Sequence, residues 1–367
     1  MRSRSATIVG AGVFGAWIAR ALMRRGWQVS LVDQHGPANS RASSGGETRI
    51  IRSGYGSAAV YARWAKQSLP EWMQLEKRVH DRLFVKTGAL FLDANRSWLD
   101  DTARTLDTEG IAYERIAAAD LVTRFPQLAF PETSSAIFER DAGVLFARRA
   151  VQRLVATLVE DGVTYVVGRV VDLSDHRLRD TDAVIFACGA WLPALFPDVL
   201  GDVIAATRQE VYFFGAPAGD SRYSPAALPA WVAFDEGIYG LPDLDHRGVK
   251  IALDAHGAAA DPESMERTVS SAAVARARAI LERRMPGLAG APLLEARVCQ
   301  YENTPDGHFL FDRLPGQDRV WIAGGGSGHG FKHGPAVGRY VADLIEGAAP
   351  DPQFQLAGRP PRRRAVY

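Results

Sequence analysis

Apolar and polar positions follow two patterns along the chain. Near both ends, apolar residues come in short unbroken runs; through the middle they alternate with polar ones. Thr7–Val9 and Gln28–Val32 are short apolar strands, the second ending at Asp33. Between them, Val13 to about Arg25 carries a helical period, with Ala16, Ala19 and Ala21 permitting close packing. The turn Gly10–Gly15 joins the first strand to that helix, so the chain opens as a βαβ unit. Ala183–Ala187 is a fully apolar strand ending at Gly189, and Val320–Ala323 leads into a final helix from about Gly328 to Glu346. Alternation predicts strands over Phe84–Leu92, Tyr165–Leu173, Val203–Phe214, Ala230–Tyr239, Val249–Leu253 and Leu293–Tyr301, with short ones at Gly143–Ala147 and His308–Phe311. Helices are expected over Ala58–His80, bent at Pro70, and over Trp98–Glu109, Ala118–Phe125, Arg148–Asp161 and Pro262–Arg284; Ser40–Gly46 is a loop. The expected fold is α/β: a doubly wound, Rossmann-type domain of residues 1–82, 147–204 and 296–367. A second, α+β domain of 83–146 and 205–295 is built on a large mixed, mostly antiparallel sheet.

Composition narrows the function classes. The chain has 367 residues, 47% hydrophobic and 23% charged, enough for two domains with real cores. A formal net charge of +1 gives no field that would draw nucleic acid or an anionic membrane. Arg2 and Arg4 precede only Ala6–Val9 before a glycine, no stretch approaches the ~20 apolar residues that span a bilayer, and the chain ends Ala-Val-Tyr. The expectation is a cytoplasmic monomer acting on small molecules. The basic segment 359–364 is expected to be a frayed tail. Cys188 sits in an apolar run as an inert thiol; Cys299 has polar neighbours and calls for another account. Neither belongs to a disulfide framework.

Gly10, Gly12 and Gly15 form a GxGxxG loop, where Val13 and Phe14 begin the helix. Glycine here permits the tight turn, the approach of a pyrophosphate and close helix packing. Asp33 follows Gly15 by 18 residues and can accept from ribose hydroxyls. The loop binds a dinucleotide, NAD or FAD. The run Gly324–Gly328 suggests FAD: amides at Gly326 and Gly328, opening a helix, favour negative charge on a reduced flavin by up to ~1–2 kcal/mol. Arg49, Arg52 and Lys332 stand near glycine-rich turns and together can clamp a carboxylate. Lys250 shares a strand face with Ala252 and Asp254, a face that ordinarily looks to solvent. No metal is expected: the cysteines are 111 residues apart, no HxxxH or HExxH is present, and His329 and His333 lack a third ligand.

On these residues the chain resembles the monomeric sarcosine oxidase family, which includes N-methyltryptophan oxidase and peroxisomal pipecolate oxidase. The resemblance runs from Ile8 to about Leu344, through Gly10–Gly15, Gly46–Arg52, Lys86–Ala89, Gly143–Phe146, Cys188–Trp191, Gly237–Gly240, Val298–Tyr301 and Ser327–Lys332. It implies an FAD-dependent amine oxidase, with Cys299 carrying the flavin as a thioether. Arg52 and Lys332 bind the substrate carboxylate, and Tyr239 and Tyr301 line the pocket. Lys250 activates oxygen, while Arg49 and Asp254 join Lys250 and Tyr301 around the reacting groups. Arg41, Ser44, Gly189 and Trp191 complete the cofactor set with Gly10, Gly12, Val13, Phe14, Gly15, Asp33, Arg49, Cys299, Gly326, Gly328 and Lys332.

The implied reaction oxidises the C–N bond of an amino acid, a secondary amine above all, by hydride transfer to flavin N5, giving an imine and hydrogen peroxide. The alternatives are a dehydrogenase of the same fold that uses another electron acceptor, and a silent dinucleotide-binding protein. The chain departs from the family at four positions. Gly45 and Asp254 replace histidines, Gly326 replaces a bulky residue and His333 replaces a phenylalanine. Gly326 is expected to leave room, and Asp254 to add negative charge near the amine, so the substrate expected is larger or more cationic than sarcosine.

Overall fold

The computed structural model describes residues 3–93, 96–130 and 135–359, and their strands form three sheets. The first runs Leu310–Arg313, Val320–Gly324, Ala183–Phe186, Ser5–Val9, Gln28–Asp33, Thr164–Val167. All neighbours are parallel except the first pair. Its strands are unbroken apolar runs because helices or loops bury both faces of a parallel sheet. On one face lie the helices Val13–Arg24, Ala59–Val79, Ala147–Glu160 and Gly334–Ile345. Leu192, Leu200, Ile204 and Leu314 close the other. The first and last helices touch backbone to backbone: a Cβ on Gly338 would lie 2.4 Å from the Trp17 carbonyl oxygen.

The second sheet has eight strands: Leu293–Asn303, Ala205–Phe214, Val249–Leu253, Ile238–Leu241, Ala230–Ala233, Ala89–Leu92, Ser135–Glu139 and Glu114–Ala117. It is antiparallel except where Ala230–Ala233 meets Ala89–Leu92. Period-two alternation sends Leu90, Tyr212, Trp231, Ile238 and Ile251 into a core beneath the helix Ser271–Arg284. The register places Val232 against Tyr239, Tyr239 against Ala252, Thr207 against Tyr301 and Gln209 against Cys299. The opposite face therefore presents Val232, Tyr239, Lys250, Cys299 and Tyr301 together. A third sheet, Thr48–Ile51, Gly143–Phe146 and Phe84–Val85, lies over that face.

Several elements are shorter than the alternation predicts, and each break has a local cause. Phe84–Leu92 is two strands in different sheets, parted at Gly88, whose φ of +74° turns the chain. Ala230–Tyr239 is a hairpin that reverses at Gly237, φ +60°. Thr164–Val167 stops at Gly168, where a Cβ would strike the Arg177 guanidinium. The helix expected from Pro262 begins at Ser271, because the Ser270 hydroxyl accepts from the Ala273 amide and Asp261 and Glu266 cap turns ahead of it. Strands Thr48–Ile51, Glu114–Ala117 and Ser135–Glu139 were not expected. Arg359 is no frayed residue: it bonds to Asp306 and to the carbonyls of His308 and Phe309, while 360–364 lie outside the described residues. No helix among the described residues is long and apolar enough to cross a membrane.

Candidate active site

The turn from the first strand into the first helix leaves no space for side chains. A Cβ on Gly10 (φ +106°) would come within 2.4 Å of the Ala187 carbonyl oxygen, and one on Gly15 within 1.9 Å of the Gly10 carbonyl oxygen. Gly12 caps the helix with no side-chain bond, and the Val13 amide donates to the Ser44 hydroxyl at 3.0 Å. A helix start built this way suits a phosphate. The Asp33 carboxylate accepts from the amides of Ala11, His35 and Gly36 at 2.8–2.9 Å, which hold it at the head of a cleft of about 1360 Å³, open mouth included.

That cleft is lined by Gly10, Gly12, Val13, Phe14, Asp33, Ser44, Gly189 and Trp191. It continues past Gly326 and Gly328 to Arg49 and Tyr301 under the eight-stranded sheet. Its length, its cramped glycines and its acidic head fit a dinucleotide whose second half reaches that sheet, as FAD does. Gly15 lies beneath the turn rather than in the wall. Arg41 stands outside, paired with Glu263 at 3.4 Å. Cys188 is part of the wall; its thiol sits 3.3 Å from the Val9 carbonyl, and burial pushes its pKa up. Cys299 stands at the cleft's edge, its Sγ 3.6 Å from Arg49 Nη2. The Arg49 guanidinium is fixed there by the carbonyls of Thr48 (2.8 Å) and Ser43 (2.7 Å).

A smaller pocket, about 530 Å³, adjoins the cleft and shares Arg49, Tyr301, Gly328 and Phe331 with it. Arg52, Tyr239, Asp254 and Lys332 supply its chemistry. Arg52 and Lys332 gather over one ring that sequence reading missed: Arg52 Cζ lies 4.3 Å and Lys332 Nζ 5.3 Å from the Tyr55 centroid. The signal for Tyr55 was its place between Gly54 and Gly56, just after Arg52. Both cations are buried, 6% and 5% exposed. Burial first, then Arg52, holds the Lys332 ammonium well below its usual pKa. Two buried like charges with a cavity beside them favour an anion between them. On another wall Tyr301 donates to Asp254 at 2.8 Å; burial raises the Asp254 carboxyl and the tyrosine bond draws it partly back. Glu139 lies behind Arg52, accepting from the Ser53 amide at 2.9–3.0 Å; burial pushes it up to about 7.

Lys250 does not face solvent as its strand pattern suggests. It is 2% exposed because the strand Thr48–Ile51 covers that face. Its Nζ donates to the Thr48 carbonyl at 3.3 Å and sits 5.3 Å from the Tyr239 ring. Burial, with Arg49 next, lowers its pKa to about 7.

Two expectations about the C-terminal glycines change. No α-helix starts at Gly328: Ser327 (φ 44°) and Gly328 (φ 78°) are left-handed, and the α-helix begins at Gly334. The loop's amides are largely engaged: Ser327 donates to the Glu302 carbonyl, and His329 and Gly330 to the Gly326 carbonyl. The helix-start argument for negative charge therefore falls away. Nor does Gly326 open space for substrate. It lines the long cleft, and a Cβ there would meet Glu302 Oε1 at 3.1 Å.

Glu302 fills that gap. Oε1 accepts from the Gly326 amide at 3.3 Å, and Oε2 is buried with no hydrogen bond. Burial raises its pKa to about 7, against the Gly326 amide and the nearby Ser43 hydroxyl. A carboxyl raised from 4.5 in the unfolded chain to about 7 in the fold costs stability as pH climbs through that window. Glu302→Gln should therefore stabilise the protein by about 2–3 kcal/mol at pH 8 and hardly at all at pH 4.5. Melting curves at the two pH values, with the gain equal at both, would refute this.

Residues 5–344 match the family described as DAO, FAD dependent oxidoreductase. The chain is 32% identical over 356 residues to a monomeric sarcosine oxidase of Bacillus sp. (strain B-0618), covering 92% of this chain and 90% of that one. It is 28% identical over 364 residues to an N-methyl-L-tryptophan oxidase of Salmonella heidelberg (strain SL476), covering 94% and 95%. Among solved structures, the deglycating fructosamine oxidase (Amadoriase II) of Aspergillus fumigatus superposes with TM-score 0.80 at 23% identity, covering 97% of this chain and 90% of that one; this likeness is one of fold.

Proposed function

Because the chain belongs to the FAD dependent oxidoreductase family, on its sarcosine oxidase and N-methyltryptophan oxidase side, we propose that it oxidises the C–N bond of an amino acid, most naturally an N-alkyl one, with molecular oxygen as the electron acceptor. The observation that carries this reading is the small pocket in which Arg52 and Lys332 meet beside the long cleft. When bound, FAD supplies the acceptor for the hydride of the substrate's α-carbon and passes the electron pair to oxygen, leaving an imine and hydrogen peroxide.

The chain's own residues bind, orient and move protons. Arg52 and Lys332 hold the carboxylate and so fix the α-carbon in place. Asp254, with its raised pKa, is the base that takes the ammonium proton, so the amine reacts neutral; Tyr301 holds that carboxylate in position. Tyr239 and Phe331 wall the reacting groups from water. Lys250 offers a buried positive charge where oxygen becomes negative. Cys299 is the attachment point for the cofactor. The case for a bulkier substrate no longer rests on Gly326; the case for a more cationic one rests on Asp254.

The test is an anaerobic screen of N-methyl, cyclic and free amino acids against the flavin-loaded protein. At least one N-alkyl amino acid should bleach the flavin, with peroxide formed on admitting air; a flavin that no amine bleaches rejects the function. Sarcosine outperforming every bulkier or basic N-alkyl amino acid rejects the substrate preference. Acid precipitation should leave the yellow colour in the pellet, and Cys299→Ser should release it; colour released from the wild type rules out the tether.

A further inference from the structure

Lys332 is held by a buried hydrogen-bond chain whose direction follows atom by atom. Its ammonium donates to the Tyr55 hydroxyl at 2.7 Å and to the His329 carbonyl at 2.9 Å. Two of its three N–H bonds are thereby fixed, and the third remains for the pocket. Since the Tyr55 oxygen accepts from Lys332, its own O–H donates elsewhere. Two ring nitrogens are within reach, His333 Nε2 at 2.9 Å and His329 Nδ1 at 3.4 Å. His329 Nε2 faces the Gly307 carbonyl at 3.0 Å, and a carbonyl only accepts, so that nitrogen carries the ring proton. His333 is fully buried beside the Lys332 ammonium, which keeps its ring neutral. With Nε2 accepting from Tyr55, the His333 proton is on Nδ1, which has no partner among the described residues. An unpaired buried N–H is rare enough to need a reason. Here the reason is the acceptor on the other side of the ring.

We propose that His333 is a positioning residue for the substrate carboxylate: by accepting the Tyr55 proton, it turns the tyrosine oxygen's lone pair to Lys332 and fixes the ammonium beside Arg52. His333 lines neither cavity and so acts only through Tyr55. Trp72 Nε1 secures the same segment by donating to the Lys332 carbonyl at 3.0 Å. The Tyr55 hydroxyl is thus the joint between one histidine and one lysine. A phenylalanine at 333 keeps the packing and removes the acceptor, leaving Tyr55 only the longer contact to His329. A glutamine at 333 restores an acceptor without the imidazole.

The inference rests on the reading of Arg52 and Lys332 as the carboxylate clamp, and the experiment separates the two. Acetate, as a bare carboxylate probe, is titrated into the flavin-loaded wild type, His333→Phe, His333→Gln and Lys332→Met, following the flavin absorbance, with KM and kcat measured on the best substrate. His333→Phe should weaken acetate and raise KM about tenfold with kcat within threefold, and His333→Gln should recover most of that loss. If Lys332→Met weakens acetate but His333→Phe does not, the role of His333 is refuted while the clamp stands. Glutamine as damaging as phenylalanine refutes the acceptor role. If Lys332→Met also binds acetate as the wild type does, the clamp itself fails, and His333 has nothing to position.

Discussion

Lys332→Met and Arg52→Gln should each lower kcat/KM for the amino-acid substrate by 10² or more, the ~2–5 kcal/mol typical of truncating one partner of a buried charged contact. The two variants should differ in their effect on the empty protein. Lys332 and Arg52 are buried like charges, and Arg52 lowers the lysine's pKa. Removing the lysine relieves that repulsion, so Lys332→Met should melt no lower than wild type, and higher at acid pH. Arg52 also donates to the Gly54 carbonyl and offsets the charge of Glu139, so Arg52→Gln should lose stability as well as activity. An unchanged kcat/KM in both variants, measured with the substrate found by flavin bleaching, would remove the carboxylate from the account.

Lys250→Met should leave anaerobic flavin reduction by substrate within a few-fold of wild type and slow reoxidation by air by ~10²–10³, the range for losing one preorganised electrostatic partner. Stopped-flow mixing of the reduced protein with oxygen measures this directly. Burial depresses the Lys250 pKa to about 7, so the charged form prevails below that value and is lost above it. Wild-type reoxidation should therefore fall as pH rises through the lysine's titration, and the variant should be flat. The presence of a slope is the diagnostic, since a negative cofactor nearby moves the midpoint upward. A variant that reoxidises at the wild-type rate would point to a dehydrogenase with another electron acceptor.

The glycine loop, Asp33 and the apolar runs were legible because local sterics and burial dictate them; Gly10 and Gly15 have nowhere to put a side chain. The covering of Lys250 was not, because its cover, Thr48–Ile51, comes from a strand two hundred residues away that pairs in another sheet. The same holds for Gly326: its missing side chain reads as space until Glu302 is seen occupying it. Period-two alternation found the β-rich segments but not their breaks, which lie at left-handed glycines 88 and 237. Tyr55 and His333 escaped because a hydrogen-bond chain leaves no periodic mark. The family resemblance supplied Arg52 and Lys332 as a pair, which spacing alone does not.

Arg52 and Lys332 are 280 residues apart in the chain, yet they share one pocket. At a synthesis rate of about 5–20 residues per second, the first waits roughly 15–60 s on the ribosome for the second. The strand Val320–Gly324, which pairs with Ala183–Phe186, emerges only just before Lys332. Throughout that interval the apolar edge of Ala183–Phe186 has no neighbour on that side. The nascent polypeptide is thus most exposed to aggregation shortly before completion, and a chaperone that shields sheet edges should raise its yield more than one acting after release.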